Sequence, residues 1–536
     1  MLSTRIKYGK IKLSKINHKV VSNDKIRCLP FESWRRGELY SPFCGFLKRR
    51  SDILRQMKKK GFTLIELLAV IVILAIIALI ATPMIMGVIE NVRKQAALRS
   101  VNGLLEAAEY YQFEENDTNV IDLTSDVLTI QGSKPDSGML FIDAYGNMRI
   151  IAKYGKYCIE KKYDETSPSI VNEESCDELK IKIYGIKRKI DSADTKWERI
   201  NDSIGLVANA QIGETTVQND FDNIYPWSDI ISYNYDTTNN QVTAYYGDTN
   251  FKFDGSNGEV LTKIPEFYYK RYQEGDYEYI LISKRKIAGY EKSEEFSVGR
   301  YTMSLDNNKV HSKSGVQPLG YKTITDFRNY AQALGTGFGQ MDYHYFILQM
   351  LYLVEYADYN SQSTLGQGYT YRYNVSAIAS GGCDNLGMKS GTLNNDEKHS
   401  VIYRGIEDIF GNVWQFVDGI NIKDKQAYIC YDQSKYESDK FDGCYKPLGY
   451  MNATSDGWTS KLGYDSNHAI IALPTAVDGS NSTYISGYYW RNTEERIALV
   501  GGHWDDNIVA GLWSWNVSGT SSLLLTYVGG RLIKIS

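Results

Sequence analysis

Three sets of residues in this chain have the types and spacing to do chemistry: one acid inside an apolar run, several cysteines, and two short stretches that mix aromatic with short polar side chains. The acid is Glu66, the single charge between Phe62 and Ile89 in KKKGFTLIELLAVIVILAIIALIATP. A carboxylate at bilayer depth is costly unless a cation meets it, so Glu66 asks for a partner. The seven cysteines form no CxxC, which leaves structural zinc without support. Cys158 with Cys176 and Cys430 with Cys444 are locally spaced pairs. An oxidising compartment would allow each to bridge, and free thiols are the open alternative. Cys28 and Cys44 sit in a basic front end, and Cys383 stands alone. The histidines (His18, His311, His344, His399, His468, His503) never fall at HxxxH spacing, so no metal-hydrolase motif exists. Gly335-Thr-Gly-Phe-Gly339 follows a helical pattern rather than a strand, the wrong setting for a dinucleotide loop, and no GxSxG elbow occurs.

The mixed stretches are His503-Trp504-Asp505-Asp506-Asn507 and Trp513-Ser514-Trp515-Asn516-Val517-Ser518, followed by Tyr527. Aromatic anchors beside adaptable hydrogen-bonding side chains suit recognition, so His503, Trp504, Asp505, Asp506, Asn507, Trp513, Trp515, Ser518 and Tyr527 are the candidate ligand-binding residues. The alternative is burial of both tryptophans and of Leu523, Leu524 and Leu525 in a closing sheet.

Composition narrows the classes. A chain of 536 residues holds two or three domains. Its net charge of −4 hides an asymmetry: residues 1–60 carry 17 Lys/Arg against 4 Asp/Glu, leaving 43 basic and 60 acidic residues beyond them. Phosphate neutralisation needs clustered positive charge, so a nucleic-acid-binding body is not expected. Forty-two tyrosines and nine tryptophans suit an exported, β-rich binding protein instead.

Leu67 to Ala81 is an unbroken run of fifteen apolar residues, and the wider Phe62–Ile89 span is long enough to cross a bilayer. Lys58, Lys59 and Lys60 keep its start cytoplasmic and place the C-terminal bulk outside, as a single-pass protein. A cleaved secretory signal would be shorter and end at a small-residue site. Here the pattern continues into an amphipathic helix marked by Val88, Val92, Ala96, Leu98, Val101, Leu104, Leu105 and Ala108. Lys58-Lys59-Lys60-Gly61-Phe62-Thr63-Leu64-Ile65-Glu66 resembles the start of a type IV prepilin, and Pro83 falls where such pilins often kink. The resemblance implies cleavage between Gly61 and Phe62 by a prepilin peptidase and N-methylation of Phe62. It also implies a filament in which Glu66 meets the Phe62 amine of a neighbouring pilin subunit. Residues 1–56 then read as a non-native or leader extension and 57–61 as a complete short leader.

The predicted fold class is α+β. A pilin helix over 62–113 carries a pilin head with a small antiparallel sheet over 114–182, turned at Asp143-Ala-Tyr-Gly146. Aromatic and β-branched residues alternating with polar ones predict a β-rich connecting module over 183–262, and a binding domain follows over 263–536. Two helices stand out in that domain. Phe327, Tyr330, Ala331 and Leu334 share one face before Gly335, while Phe346, Ile347, Met350, Leu351 and Val354 form a stripe behind an Asp342 cap. Both stripes read as core.

Gly405-Ile-Glu-Asp-Ile-Phe-Gly-Asn-Val-Trp-Gln-Phe-Val-Asp-Gly419 resembles the GNVWEW signature of formylglycine-generating-enzyme-type domains, a branch of the C-type-lectin-like fold. Gly529-Gly-Arg-Leu532 resembles their closing strand. The stretches 497–504 and 510–516 are similar to variable proteins of diversity-generating retroelements. The resemblance implies a calcium position at Asp408, Gly411, Val413 and Gln415, with Gln415 in place of the usual Glu; calcium is the one cofactor it leaves open. The family's redox cysteine pair is closely spaced, whereas Cys430 and Cys444 are fourteen apart and read as a disulfide across a loop. The chain is therefore expected not to be an enzyme. The expected role is a minor-pilin adhesin whose surface ligand is a protein or glycan. A cell-surface enzyme of the formylglycine-generating type and a structural pseudopilin of a secretion or DNA-uptake machine are the alternatives.

Overall fold

The computed structural model describes residues 63–115, 120–124, 127–128, 133–142, 147–163, 165–171, 176, 182–287, 289–485, 487–491 and 494–535. Gly61, Phe62 and the Asp143–Gly146 turn lie outside them, as do the side chains of Glu66 and Pro83. The architecture is α+β, mostly sheet with few helices. The chain divides into two compact units at Val92/Arg93.

The first helix, α1, runs Leu64–Glu115. Within residues 64–92 its apolar side chains, Leu68, Ile73, Leu79 and Val88 among them, are exposed. Among the described residues no helix is long and apolar enough to cross a membrane. The run Leu67–Ala81 includes Ile80 and Ala81, whose side chains are not among those described.

In the second unit, Ala97, Val101, Leu104 and Ala108 recur at helical spacing and are buried against Leu140, Met148, Ile150 and Ile159. The last four belong to a five-stranded meander of Val120–Asp122, Ser137–Ile142, Met148–Tyr154, Tyr157–Lys161 and Ser169–Val171, each strand beside the next. Val101, Leu104 and Ala108 are where the sequence pattern placed them; at the start of the stripe Ala97 takes the place of Ala96, which is exposed. Cys158 and Cys176 are joined by a disulfide, as are Cys430 and Cys444.

The structure has no boundary at 262/263. Strand Ile183–Lys189 pairs along its whole length with Tyr277–Ser283, and Ile231–Asp236 pairs with Glu259–Ile264, which pairs in turn with Phe296–Thr302. The predicted connecting module is therefore built into the sheets of the domain it was expected to precede. The closing strand, Arg531–Ile535, lies between Phe296–Thr302 and Phe338–Gln340. A third large sheet has Trp414–Lys423, Arg496–Gly501 and Gly511–Asn516 as consecutive neighbours at its centre.

Helix α2, Ile324–Gln332, starts at a reciprocal cap: Asp326 N donates to Thr323 Oγ1 (3.1 Å) and Thr323 N donates to Asp326 Oδ2 (2.9 Å). Helix α3, His344–Tyr356, corrects the expected stripe, because every one of its residues is buried. Its polar side chains find partners inside. Gln349 Nε2 donates to Leu512 O (2.7 Å), and Glu355 accepts from Arg404 Nε (2.7 Å), Arg404 Nη2 (2.8 Å), Asn219 Nδ2 (2.7 Å) and Tyr403 OH (3.0 Å). Asp342 stands ahead of the helix and accepts from His344 N (3.1 Å).

Candidate ligand-binding surface

The segment 405–419 pins loops together. Left-handed backbone at Gly405, Asp408, Gly411 and Asn412 folds it into successive turns. Asn412 then works in three directions. Its Nδ2 donates to Asp408 Oδ2 (2.8 Å), its Oδ1 accepts from Ile378 N (3.0 Å), and its carbonyl accepts from Trp504 N (3.1 Å). Loop 369–378 and loop 503–507 are thus held side by side. A second tie runs from Asn374 Nδ2 to Trp504 O (3.0 Å), and a third from Asn507 N to Thr370 O (2.7 Å).

These ties create an aromatic-edged surface. Tyr371 and Tyr373 meet edge-to-face at 5.4 Å, with Tyr373 74% and Val375 90% exposed. His503 packs on Tyr527 at 4.5 Å and Trp504 at 5.3 Å. Beyond Tyr527, Leu524 is exposed, and Tyr321, also exposed, donates its N–H to Leu525 O (2.9 Å). An exposed apolar strip rimmed by polar groups marks an interaction site. Beside it opens a cleft of about 350 Å³ lined by Gln362, Gln367, Asn395, Trp458, Asn481 and Ile508.

The predicted ligand-binding residues separate into two groups. His503, Asp505, Asp506 and Tyr527 come together near the surface, whereas Trp504 is a correction: it is buried, packed against His503 and Tyr527. Asp505 N donates to His503 Nδ1 (3.1 Å) and His503 N to Asp506 Oδ2 (2.8 Å). Burial lowers the His503 pKa to about 4 and raises that of Asp506 to about 7, so the imidazole is neutral here. Asn507 ties the loops, its Nδ2 donating to Glu397 Oε2 (3.0 Å). Ser518 is exposed and turns locally onto Asn516 Oδ1.

Trp513 and Trp515 are a correction, for both are core. Trp515 stacks on Phe346 at 5.0 Å and Trp513 packs on Tyr352 and Tyr359. Their strand has neighbours on both sides and is covered on both faces, so its aromatic–polar alternation does not report exposure. Leu523 and Leu525 are partly buried and Leu524 is exposed. Tyr321, Tyr371, Tyr373 and Val375 escaped the sequence reading. The run GYTYRYNVS has the same aromatic and short-polar mixture that singled out 503–507, and that signal would have found most of them.

Of the four calcium positions, Gln415 and Gly411 have their oxygens engaged within the chain. Gln415 Oε1 accepts from Arg531 Nε (2.9 Å), and Gln415 Nε2 donates to Asp408 O (2.7 Å). Arg531 Nη2 donates to Glu407 O (2.6 Å) and Asp408 O (2.9 Å), while Nη1 donates to Gly299 O (2.8 Å) and Arg300 O (3.0 Å). A guanidinium therefore already supplies the positive charge beside this turn. Gly411 O accepts from Val413 N (2.7 Å). Among the described residues no group of three or more His, Cys, Asp or Glu is placed to hold a metal ion.

Glu407 and Asp408 are adjacent, fully enclosed carboxyls. Burial pushes both above the carboxylate range, and the charge of Asp408 raises Glu407 further. The folded chain then binds more protons than the unfolded one from about pH 4 to neutrality, so this pair lowers stability as pH rises through that window. The unfolding temperature is expected to fall from pH 5 to pH 8, and Asp408→Asn is expected to flatten that slope. An unchanged slope in the variant would remove the pair as its source.

Residues 56–82 match the family model described as the prokaryotic N-terminal methylation motif. The N-terminal segment is type IV pilin-like. No curated protein matches the chain. Among solved structures, PvdO from Pseudomonas aeruginosa aligns at 10% identity and TM-score 0.22, covering 53% of this chain and 97% of its own. The Major Tropism Determinant aligns over 73% of this chain and 81% of its own, at 10% identity and TM-score 0.22 for the U1 variant and 11% and 0.24 for the M1 variant. Scores at that level do not establish a shared fold.

Proposed function

We propose that this chain is a type IV pilin-like surface protein displaying a lectin-fold binding domain, acting as a minor-pilin adhesin. The observation that carries the reading is the methylation motif at 56–82, which runs into the first turns of the helix Leu64–Glu115. A helix segment apolar all round needs a nonaqueous neighbour, and residues 67–89, which carry no charge, fit first a bilayer and then the core of a filament of pilin subunits. Prepilin peptidase would cut at Gly61/Phe62, and Pro83 would bend the helix. The lectin-like assignment is supported by the GNVW-type segment and by its work as a clamp behind exposed loops.

The role in this reading is binding rather than catalysis. Cys430 and Cys444 are bonded to each other, and Cys383 is fully buried with its thiol donating to Ser400 O (3.2 Å). The ligand, protein or glycan, would meet the strip from Tyr373 and Val375 through Tyr527 to Tyr321. The double variant Tyr373→Ala/Val375→Ser is expected to weaken attachment of displayed protein to target cells by about 10-fold or more, since interface anchors are worth ~1–2 kcal/mol each. Flow-cytometric binding at matched surface display measures this, and undiminished attachment would move the ligand elsewhere.

A further inference from the structure

The cleft of about 350 Å³ beside the strip is lined by no Asp, Glu, Lys, Arg or His. Its polar lining is mostly amide, and four of those amides are each held in one orientation. Asn360 Oδ1 accepts from Ser363 N (3.0 Å) and Asn395 Oδ1 from Gln367 N (2.8 Å), which leaves both Nδ2 ends as donors. Gln362 Nε2 donates to Asn507 O (2.8 Å) and Ala510 O (3.0 Å), and Gln367 Nε2 to Glu397 Oε1 (3.0 Å), which leaves both Oε1 ends as acceptors. A backbone N–H only donates, and a carbonyl or carboxylate oxygen only accepts, so none of the four amides can turn over. The four remaining ends have no hydrogen-bond partner among the described residues. Asn360, Gln362 and Gln367 are half-buried with those ends still open to solvent, and Asn395 is exposed.

Trp458 supplies the aromatic part of the lining. Its ring is half-buried, meets Tyr488 edge-to-face at 5.3 Å, and carries no cation among the described residues. Ile508, 47% exposed, adds an apolar contact. A hydroxyl both donates and accepts, so fixed donors beside fixed acceptors suit a polyhydroxylated ring, whose C–H face packs on the indole. Because the amides are already oriented, little side-chain freedom is lost on binding. A charged ligand fares worse. The lining offers it no counter-ion, so its desolvation goes uncompensated, and an anion would also meet the Glu397 carboxylate behind Gln367. The volume suits about one or two pyranose rings, whereas a protein partner could insert only a side chain.

We infer that this cleft binds an uncharged pyranose unit of a glycan, with Trp458 as its stacking surface and the Asn395 amide as a donor. The inference rests on the reading of the chain as a binding protein and names a ligand class for a site beside the Tyr373–Tyr321 strip. Isothermal titration of the full chain, in a detergent without a sugar headgroup, tests it with matched sugars: glucose and glucuronate, galactose and galacturonate, N-acetylglucosamine and glucosamine. At least one neutral member is expected to bind saturably, and about 10-fold or more tighter than its charged counterpart. Asn395→Asp keeps the oxygen that accepts from Gln367 N but turns the open donor into a charged acceptor. It is expected to weaken that sugar by about 5-fold or more at an unchanged unfolding temperature. Trp458→Ala is expected to weaken it by about 10-fold or more. No saturable binding of any neutral member, or equal binding within a pair, overturns the assignment. Unchanged affinity in Asn395→Asp overturns it too, even if the Trp458 variant unfolds. Acetyl-Gly-Asn-amide binding more tightly than every sugar overturns the choice of a glycan. Attachment to target cells that persists while no neutral sugar binds removes this inference and leaves the adhesin reading standing; saturable sugar binding without attachment does the reverse.

Discussion

Arg531→Met is expected to destabilise the second unit by about 3–5 kcal/mol, the range for removing one partner from a buried charged network. Arg531 is fully buried and donates to Gln415 Oε1 and to the carbonyls of Gly299, Arg300, Glu407 and Asp408. Burial lowers its pKa to about 10, which still leaves it charged at neutral pH. Methionine fills much of the volume but satisfies none of these acceptors, and it leaves Glu407 and Asp408 without their neighbouring cation. The closing strand also locks two distant parts of one sheet, so its loss should free the 405–419 turn and the loops pinned by Asn412. Near-UV circular dichroism against temperature measures the effect. A shift of the transition below about 2 °C would mean that water replaces the guanidinium at little cost.

Glu66→Ala is expected to leave cleavage at Gly61 intact and to reduce the sheared surface-filament fraction by about 10-fold or more. An unpaired carboxylate or amine in a low-dielectric bundle costs several kcal/mol, so removing one partner should abolish registry rather than soften it. Glu66→Asp keeps the charge but shortens its reach and should retain partial incorporation, whereas Glu66→Gln should behave like alanine. Immunoblots of membrane and sheared fractions separate processing from assembly. Full incorporation of Glu66→Ala would leave the carboxylate without a role in registry.

Much of the local architecture was legible because it depends on local pattern. The stripe through Val101, Leu104 and Ala108 packs the head sheet on α1, and Phe327 and Ala331 of α2 are buried together with Leu334 just beyond its end. Illegible features came from nonlocal pairing. Nothing in 183–189 announces that its partner is 277–283, so the expected boundary at 262 disappeared into shared sheets. The strand holding Trp513 and Trp515 looked amphipathic, yet its polar members are also enclosed: Ser514 Oγ donates to Val509 O. Gln415 was read as a weakened metal ligand, because Arg531, 116 residues away, could not be placed against it from spacing. At the surface, 503–507 was found by composition, but its neighbours in 371–375 are brought there by Asn412, a contact that no periodicity encodes.

Mass spectrometry of the mature N-terminus tests the central claim most directly. Protein recovered from the cell surface is expected to begin at Phe62, with a mass increase of about 14 Da for one added methyl group. A mature chain that begins at Met1 or Met57, or one cut beyond Ala81 as a secretory signal would be, contradicts pilin-like processing and with it the proposed route to the surface.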